Sequence, residues 1–326
     1  MKFGVARTVG GAWTLARSFT RYFVLLLAVA SYSSADTLYK YRGQNGEWIY
    51  TDRKPPAETK VETRALELSF VQPEFSVTSE VIGKEVEFVA HNNYHAPIEV
   101  RLEFIEITGI EYPDPDERLR WVVEPRSDLL LLNLSILQGS AAPKVRFQFE
   151  YMPGDPSAQH QADIGYQAPF SAGRTFRVSQ TYPDTITHAT RDNSFAVDIE
   201  MPIGTDILAA RGGVVFEVAS QNYRNGLDPI ENGRDANIVR ILHDDGTFSL
   251  YAHLNWNSIR VKPGDRVRTG QYIADSGNTG FSSGPHLHFA VQKNAGLQVQ
   301  SLPVTFKGPT AEKVVPLTGN QLTGYP

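Results

Sequence analysis

The chain has 326 residues, with 31 Lys and Arg against 36 Asp and Glu, and it contains no Cys. At roughly 100–200 residues per domain, this length indicates two or three domains. The absence of Cys excludes disulfides, Cys-ligated metal centres, a thiol nucleophile and a lipid-modified Cys anchor. Any transition metal must therefore bind nitrogen and oxygen ligands, which directs attention to the eight His residues.

Residues 1–35 have the pattern of a secretory signal peptide. A basic start precedes the apolar run 22–30, and Ser33 and Ala35 have the small side chains that fit a signal-peptidase site. The run is near half of the roughly 20 residues that a membrane span needs. We therefore expect cleavage after Ala35 and export to the periplasm of a Gram-negative bacterium. Cleavage removes four basic residues and no acidic one, so the net charge changes from −5 to −9, which argues against nucleic-acid binding.

Residues 36–60 are predicted to form a small hairpin module. Apolar and aromatic residues flank Gln44-Asn45-Gly46, and Asn-Gly between two such runs is a strong hairpin signal. The segment resembles a small N-terminal module of unknown function found in many exported proteobacterial proteins. It has no catalytic signature.

Residues 61–156 are predicted to form a β-sandwich-like domain. Apolar residues alternate with polar ones in several stretches that Asn, Pro and Gly separate, which is typical of antiparallel strands. The alternating residues are Val86 and Phe88; Val100, Leu102 and Phe104; Leu130, Leu132 and Leu134; and Val145, Phe147, Phe149 and Tyr151.

Residues 157–306 are predicted to form an all-β domain, because the region is rich in Gly and has no long helical periodicity. Residues 307–326 form a tail without a strong signal. The predicted fold class is therefore mainly β throughout.

The clearest candidate site is the pair His286 and His288. Residues two apart in a strand project from the same face, and neutral imidazole is a common zinc ligand. Alone, such a pair is weak evidence, since most are surface or packed residues. Asp198 and His253 add to it: Asp198 lies among apolar residues, where a carboxylate needs a cation or hydrogen bonds. His243, at a predicted turn, is expected to be exposed and inert.

Four blocks in order produce a specific resemblance: AVDIEMPIGTDILAARGGVV, ANIVRILHDDGTFSLYAHL, VKPGDRVRTGQYIADSGNTG and SGPHLHF. Over residues 166–292 the chain resembles the lysostaphin-type (LytM-like) zinc endopeptidases, which cleave peptide bridges of bacterial peptidoglycan. The resemblance implies a twisted antiparallel β fold with a groove, and one zinc ion bound by Asp198 and His288. It also implies that His253 and His286 are catalytic. Asn237 and Tyr251, in the second block, are further candidate site residues.

One position departs from the family pattern. The usual first ligand is a His four residues before the Asp, and Ser194 occupies that position here. His188 is the candidate replacement, because a longer loop can carry its imidazole to the same coordination position, as in a branch of the family with a similar pattern. Asp192 is a weaker candidate, and a site that no longer binds metal is the remaining alternative.

The predicted function is that of an exported zinc metalloendopeptidase that hydrolyses peptide cross-links of peptidoglycan with a metal-activated water. Zinc held by His188, Asp198 and His288 would lower the pKa of that water toward about 7. Of His253 and His286, one would act as general base and the other would stabilise charge or protonate the leaving amine. The implied partners are the peptide stems of peptidoglycan.

Two alternatives involve no catalysis. A LytM-like module that has lost its ligands can activate a cell-wall amidase, but Asp198, His253, His286 and His288 all persist. The stretch VKPGDRVRTGQYI also resembles part of the biotinyl and lipoyl carrier domains. It has no modifiable Lys at a hairpin tip, and a carrier has no use for the His pair.

Overall fold

The computed structural model describes residues 2–5, 37–42, 48–51, 62–65, 71–113, 118–139, 143–184, 186–233, 235–310 and 312–326. Apart from one short helix, the regular structure in these residues is β, which confirms the predicted fold class. The chain divides into two units, Gly10–Ser69 and a larger one made of Met1–Val9 with Phe70–Pro326. Except for residues 2–5, the expected signal peptide lies outside the described residues. Within the described ranges, no helix has the length and apolar character needed to cross a membrane.

The smaller unit contains a three-stranded antiparallel sheet. In chain order, β1 (Lys2–Val5) belongs to the larger unit, and β2 (Thr37–Arg42), β3 (Trp48–Thr51) and β4 (Glu62–Ala65) follow in the smaller one. β2 is the central strand and pairs with β3 and β4. The Asn-Gly turn predicted between β2 and β3 lies outside the described residues.

In the larger unit, residues 71–153 form two facing antiparallel sheets. Their strands are β5 (Phe75–Ile82), β6 (Glu85–Asn92), β7 (Ile98–Thr108), β8 (Arg120–Val123), β9 (Ser127–Ser135) and β10 (Lys144–Pro153). One sheet has the order β5-β6-β9 and the other β1-β10-β7-β8. Phe88 of the first sheet meets Phe104 and Phe147 of the second, edge to face, with ring centroids 5.2 and 5.3 Å away. These contacts form the core of a β-sandwich.

The predicted alternation is correct for most of this sandwich but fails at Leu130. Leu132 and Leu134 are buried, whereas Leu130 is 49% exposed. The register of β6 against β9 shifts here, since Phe88 pairs with Leu132 and Val89 with Leu130, which leaves Leu131 without a partner. Such a bulge reverses the side-chain direction along the rest of the strand. Leu131 is therefore buried next to Leu132, and Leu130 faces solvent.

The remainder of the larger unit is built on a nine-stranded sheet. Its elements are β11 (Thr175–Gln180), β12 (Val197–Glu200), β13 (Asp206–Leu208), β14 (Gly213–Ala219), β15 (Asn225–Gly226), α1 (Pro229–Asn232), β16 (Ile238–Leu242), β17 (Phe248–Ala252), β18 (Arg266–Val267), β19 (Tyr272–Asp275), β20 (Gly280–Phe281), β21 (His286–Asn294), β22 (Val299–Leu302), β23 (Phe306–Lys307), β24 (Lys313–Val314) and β25 (Gln321–Thr323). The sheet order is β18-β14-β16-β17-β21-β12-β11-β25, with β22 also paired to β21. Leu322 of β25 is buried in the core, so part of the C-terminal tail belongs to this sheet.

The sandwich and the nine-stranded sheet share apolar and polar contacts. Phe216 and Phe248 of the sheet belong to the apolar core of the sandwich. Beside them, Glu99 of β7 is fully buried, and its Oε2 accepts hydrogen bonds of 2.7 Å from Asn294 Nδ2 and from the Leu297 amide. Arg120 lies 3.3 Å from Oε1 of the same carboxylate. The site-bearing sheet therefore packs on the sandwich through a buried carboxylate as well as through apolar surface.

Candidate metal centre

Three neighbouring strands place the candidate residues on one face of the sheet. Asp198 of β12 pairs directly with His288 of β21, and on the other side of β21 Ala252 of β17 pairs with the same His288. Directly paired residues project from the same side of a sheet. His286 lies two residues before His288 on that side, and His253 follows the end of β17.

Asp198 lies at the centre of the His cluster. His288 Nδ1 is 2.9 Å from Asp198 Oδ1, and His188 Nε2 is 3.1 Å from Asp198 Oδ2. His286 Nε2 is 3.8 Å from Oδ1. Burial raises the pKa of the Asp198 carboxyl, but hydrogen bonds from His188 and His288 outweigh it, so that the net pKa lies well below its usual range. Asp198 is therefore a buried carboxylate that stays ionised.

Of the three residues considered for the first ligand position, the structure places His188 next to Asp198. Ser194 and Asp192 do not take this place. The His188 side chain is 3% exposed, and its ring lies edge-on to His288 with centroids 4.9 Å apart. Ser194 instead bonds through its hydroxyl to Ser301 Oγ at 3.1 Å. Among the described residues, the group able to hold a metal consists of His188, Asp198 and His288 and does not include Asp192.

The donor atoms of this group suit a single zinc ion. Donor atoms bound at about 2.0–2.2 Å to one tetrahedral ion lie roughly 3–3.5 Å from one another. His288 Nδ1 and His188 Nε2 lie 2.9 and 3.1 Å from different oxygens of Asp198, which is close to this spacing, and one donor atom from each of the three residues lies within 4.8 Å of the others. Two imidazoles with one carboxylate are also a common ligand set of catalytic zinc sites, which keep a fourth position open.

His253 and His286 make the same kind of hydrogen bond, from ring Nδ1 to a backbone carbonyl oxygen. His253 Nδ1 lies 2.7 Å from the carbonyl oxygen of Thr279, and His286 Nδ1 lies 2.8 Å from that of Gly284. A carbonyl oxygen only accepts, so each neutral ring carries its proton on Nδ1 and has a free lone pair on Nε2. The two rings are 4.6 Å apart. Burial, together with the nearby His286 and His288, lowers the pKa of His253 to about 3, so this ring is neutral at pH 7.

His253 has a strained backbone that Asn237 helps to hold. Its φ is 60°, in the left-handed region that few residues other than Gly adopt. Asn237 is fully buried. Its side-chain Nδ2 donates to the carbonyl of Leu254 at 3.2 Å, and its backbone amide donates to Thr279 Oγ1 at 3.0 Å. Thr279 Oγ1 in turn donates to the same Leu254 carbonyl at 2.9 Å. Asn237 thus lies outside the cluster and holds the segments on either side of His253 in position.

The structure places Tyr251 in the core, away from the cluster. It is fully buried, its ring packs edge-on against Phe289 at 5.2 Å, and its hydroxyl accepts the Ala210 amide at 2.7 Å. Burial raises the pKa of this hydroxyl, so it stays protonated. Tyr251 supports the sheet from the side opposite to its neighbour Ala252.

The expectation that His243 is exposed is wrong. This side chain is 2% exposed, and its Nδ1 lies 2.9 Å from the carbonyl oxygen of Gly212. The Tyr166 ring packs edge-on against it with ring centroids 5.7 Å apart, and the Arg211–Asp245 ion pair at 2.8 Å holds the turn that follows it. Burial lowers the pKa of His243 to about 4.

A pocket of about 520 Å³ lies beside His286. Its lining consists of Glu200, Met201, Pro202, Ser283, Gly284, Pro285 and His286. The pocket is open to solvent, and the His286 ring forms part of its wall.

Sequence reasoning missed two residues that shape the site. Gln180 bonds Asp198 and the loop before His188, and Thr279 bonds the His253 ring through its carbonyl. Thr279 lies in one of the four sequence blocks that carry the family resemblance, so that block could have identified it as a candidate site residue. Gln180 had none, because it lies 18 residues before Asp198 in an ordinary strand and outside every block.

Comparisons with known proteins match the stretch that carries Asp198, His253, His286 and His288. The model of peptidase family M23 matches residues 192–300, which begin just after His188. Glycyl-glycine endopeptidase ALE-1 of Staphylococcus capitis is 36% identical over 104 residues, 32% of this chain and 25% of ALE-1. Peptidoglycan DD-endopeptidase ShyC of Vibrio cholerae is 37% identical over 117 residues, 36% of this chain and 23% of ShyC.

Among solved structures, the catalytic domain of the prophage-encoded M23 protein EnpA from Enterococcus faecalis is 30% identical, with a TM-score of 0.31. The match covers 41% of this chain and 92% of that domain. The chain spans less than a third of the length of the first curated relatives that it matches. The part that matches them is a lysostaphin-type domain of peptidase family M23.

Proposed function

We propose that this protein is an exported zinc endopeptidase that hydrolyses peptide cross-links of peptidoglycan. One observation carries the proposal: His188, Asp198 and His288 converge within metal-binding distance of one another, beside two His residues with free Nε2 atoms. The names of the relatives, a glycyl-glycine endopeptidase and a peptidoglycan DD-endopeptidase, support a peptidoglycan peptide as the substrate.

His188, Asp198 and His288 would hold the metal, and their charges suit a dication. The ionised Asp198 offsets one of the two positive charges, while the buried imidazoles bind as neutral ligands. When bound, zinc would activate a water molecule and polarise the scissile carbonyl.

His253 and His286 would move the protons of the reaction. Because Nδ1 of each ring donates its proton to a carbonyl oxygen, Nε2 is the nitrogen through which each ring can accept a proton. The ring that accepts a proton becomes a donor at the same nitrogen. It can then stabilise the oxyanion by a hydrogen bond or protonate the leaving amine. The pocket beside His286 would hold the peptide on one side of the scissile bond.

The experiment is digestion of purified muropeptides by the purified, zinc-analysed protein, with products identified by mass spectrometry. We expect about one zinc per chain and cleavage within peptide cross-links, both lost in His188→Ala and in Asp198→Ala. His91→Ala is the matched control, since His91 lies in the sandwich, where it bonds Thr78 and Asp128. Wild-type protein that binds no zinc and releases no product would refute the proposal. If it also stimulated a cell-wall amidase, the amidase-activator alternative would replace the proposal.

A further inference from the structure

We propose that Gln180 is a positioning residue that holds His188 in place for metal binding, an inference that rests on the function proposed above. Gln180 is the last residue of β11 and pairs with Asp198 on β12. Its side chain is 6% exposed and lies under the loop that carries His188. Its position thus links the strand of one proposed ligand to the loop of another.

The two ends of the Gln180 amide contact different parts of this arrangement. Oε1 accepts hydrogen bonds from the amides of Ile186 and Thr187, at 2.9 and 3.0 Å. Nε2 donates to Thr187 Oγ1 at 2.9 Å and to Asp198 Oδ2 at 3.3 Å. These four bonds use both donors and both acceptor positions of the side chain. The chain is therefore fixed at the two residues that directly precede His188.

His188 needs such support, because its own ring has no second hydrogen bond. Metal-binding His residues ordinarily donate their other ring nitrogen to a carboxylate, carbonyl or water, which fixes the ring orientation. His188 Nδ1 is buried and has no hydrogen-bond partner among the described residues. Beyond its contacts with Asp198 and His288, the orientation of the ring therefore depends on its backbone, which Gln180 anchors.

The other end of the same loop is anchored independently. The carbonyl of Arg191 accepts the Ser301 amide at 2.9 Å, and the carbonyl of Asp192 accepts Gln292 Nε2 at 2.8 Å. Ser194 adds its hydroxyl bond to Ser301. Between these anchors and Gln180, the described residues of the loop form neither helix nor strand, and Ile186 is 85% exposed. Loss of the Gln180 anchor would free the His188 end while the other end stayed bound.

Zinc affinity of the full chain, measured by competition with a chromophoric chelator, tests this inference. Gln180→Leu keeps the approximate volume and removes all four hydrogen bonds. We expect it to weaken zinc binding by roughly 10–100-fold, the usual effect of losing a residue that supports a metal ligand. The melting temperature of the metal-free protein, measured in parallel, separates this loss of affinity from general destabilisation. Gln72→Leu is the control, since the Gln72 amide donates to the Val218 carbonyl.

A shorter amide separates positioning from packing. Gln180→Asn keeps a polar side chain but is too short to reach the Ile186 and Thr187 amides, so we expect the same loss of zinc affinity as in the Leu variant. A Leu or an Asn variant that binds zinc as tightly as wild type would overturn the inference. If the Leu variant does not fold, the Asn variant alone decides. Absence of zinc binding in wild type would instead refute the proposed function, and unchanged binding in Gln180→Leu alone would refute only the role of Gln180.

Discussion

Asp198 and His288 are direct cross-strand partners on β12 and β21, and His288 Nδ1 lies 2.9 Å from Asp198 Oδ1. The pairing of the two strands sets this separation, so the carboxylate and the imidazole do not depend on a loop for their approach. His188 reaches the same carboxylate from a loop. The proposed site therefore has two ligands built into the sheet and one whose place depends on tertiary contacts.

Asp198→Asn should abolish zinc binding while it preserves the shape of the site. The amide keeps the side-chain volume but removes the negative charge that offsets the metal and that both His residues contact. We expect zinc affinity to fall by more than about 100-fold, since loss of a mere supporting residue already costs 10–100-fold. Metal analysis after dialysis measures the loss, and muropeptide digestion should cease in parallel. An Asn variant that retains stoichiometric zinc would contradict the assignment of Asp198.

Ser194→His should fail to replace His188. The Ser194 hydroxyl bonds Ser301 Oγ, which also accepts the Phe195 amide at 3.1 Å. Position 194 is therefore held at Ser301, at the end of the loop away from Gln180. We expect the double variant His188→Ala/Ser194→His to bind zinc no better than His188→Ala alone. Restored zinc binding in the double variant would show that the chain still accepts the usual family ligand. Ser194→Ala, on the wild-type background, controls for loss of the Ser301 contact.

Strand periodicity explains which parts of the site were predictable. His286 and His288 lie two apart in one strand, so their shared face follows from the sequence alone. Asp198 and His253 were candidates from their sequence surroundings, the family resemblance implied their roles, and the paired strands bring them to that face. His188 was a choice among alternatives, because the path of an irregular loop depends on contacts such as those of Gln180, which no local pattern reveals.

The same reasoning explains the failures elsewhere in the fold. Alternation predicts burial only while the register is constant, and the bulge at Leu131 exposes Leu130. His243 looked like a turn residue, and turns are ordinarily exposed. Its ring instead contacts the Gly212 carbonyl and the edge of the Tyr166 ring. Both features depend on partners distant in sequence, so neither could be predicted from local composition.

Glu99→Ala should destabilise the larger unit and weaken the contact between its sandwich and its nine-stranded sheet. The buried carboxylate accepts from Asn294 and Leu297 and faces Arg120, so its removal leaves buried donors and a charge without a partner. We expect a loss of about 3 kcal/mol in the free energy of unfolding. Urea denaturation followed by circular dichroism measures it. Glu103→Ala, which removes an exposed hydrogen bond to Gln148, is the control and should cost much less.

The buried His243 should make stability depend on pH in a defined window. Its pKa is about 4 in the folded protein, against about 6.5 for an unfolded chain. As pH falls through 6.5, His243 becomes protonated in the unfolded state, whereas in the folded state it stays neutral until about pH 4. Stability is therefore lost between these values, by roughly 3 kcal/mol from this residue, with no further loss from it below pH 4.

His243→Asn should remove that loss, because its amide can still donate to the Gly212 carbonyl but does not titrate. Urea denaturation of metal-free protein at pH 7 and pH 4.5 compares the two proteins. The wild type should lose more stability between these conditions than the Asn variant, even if the variant is less stable at pH 7 through poorer packing. Equal losses in both proteins would mean that His243 is protonated at similar pH in the folded and unfolded states, and would contradict its burial as a neutral ring.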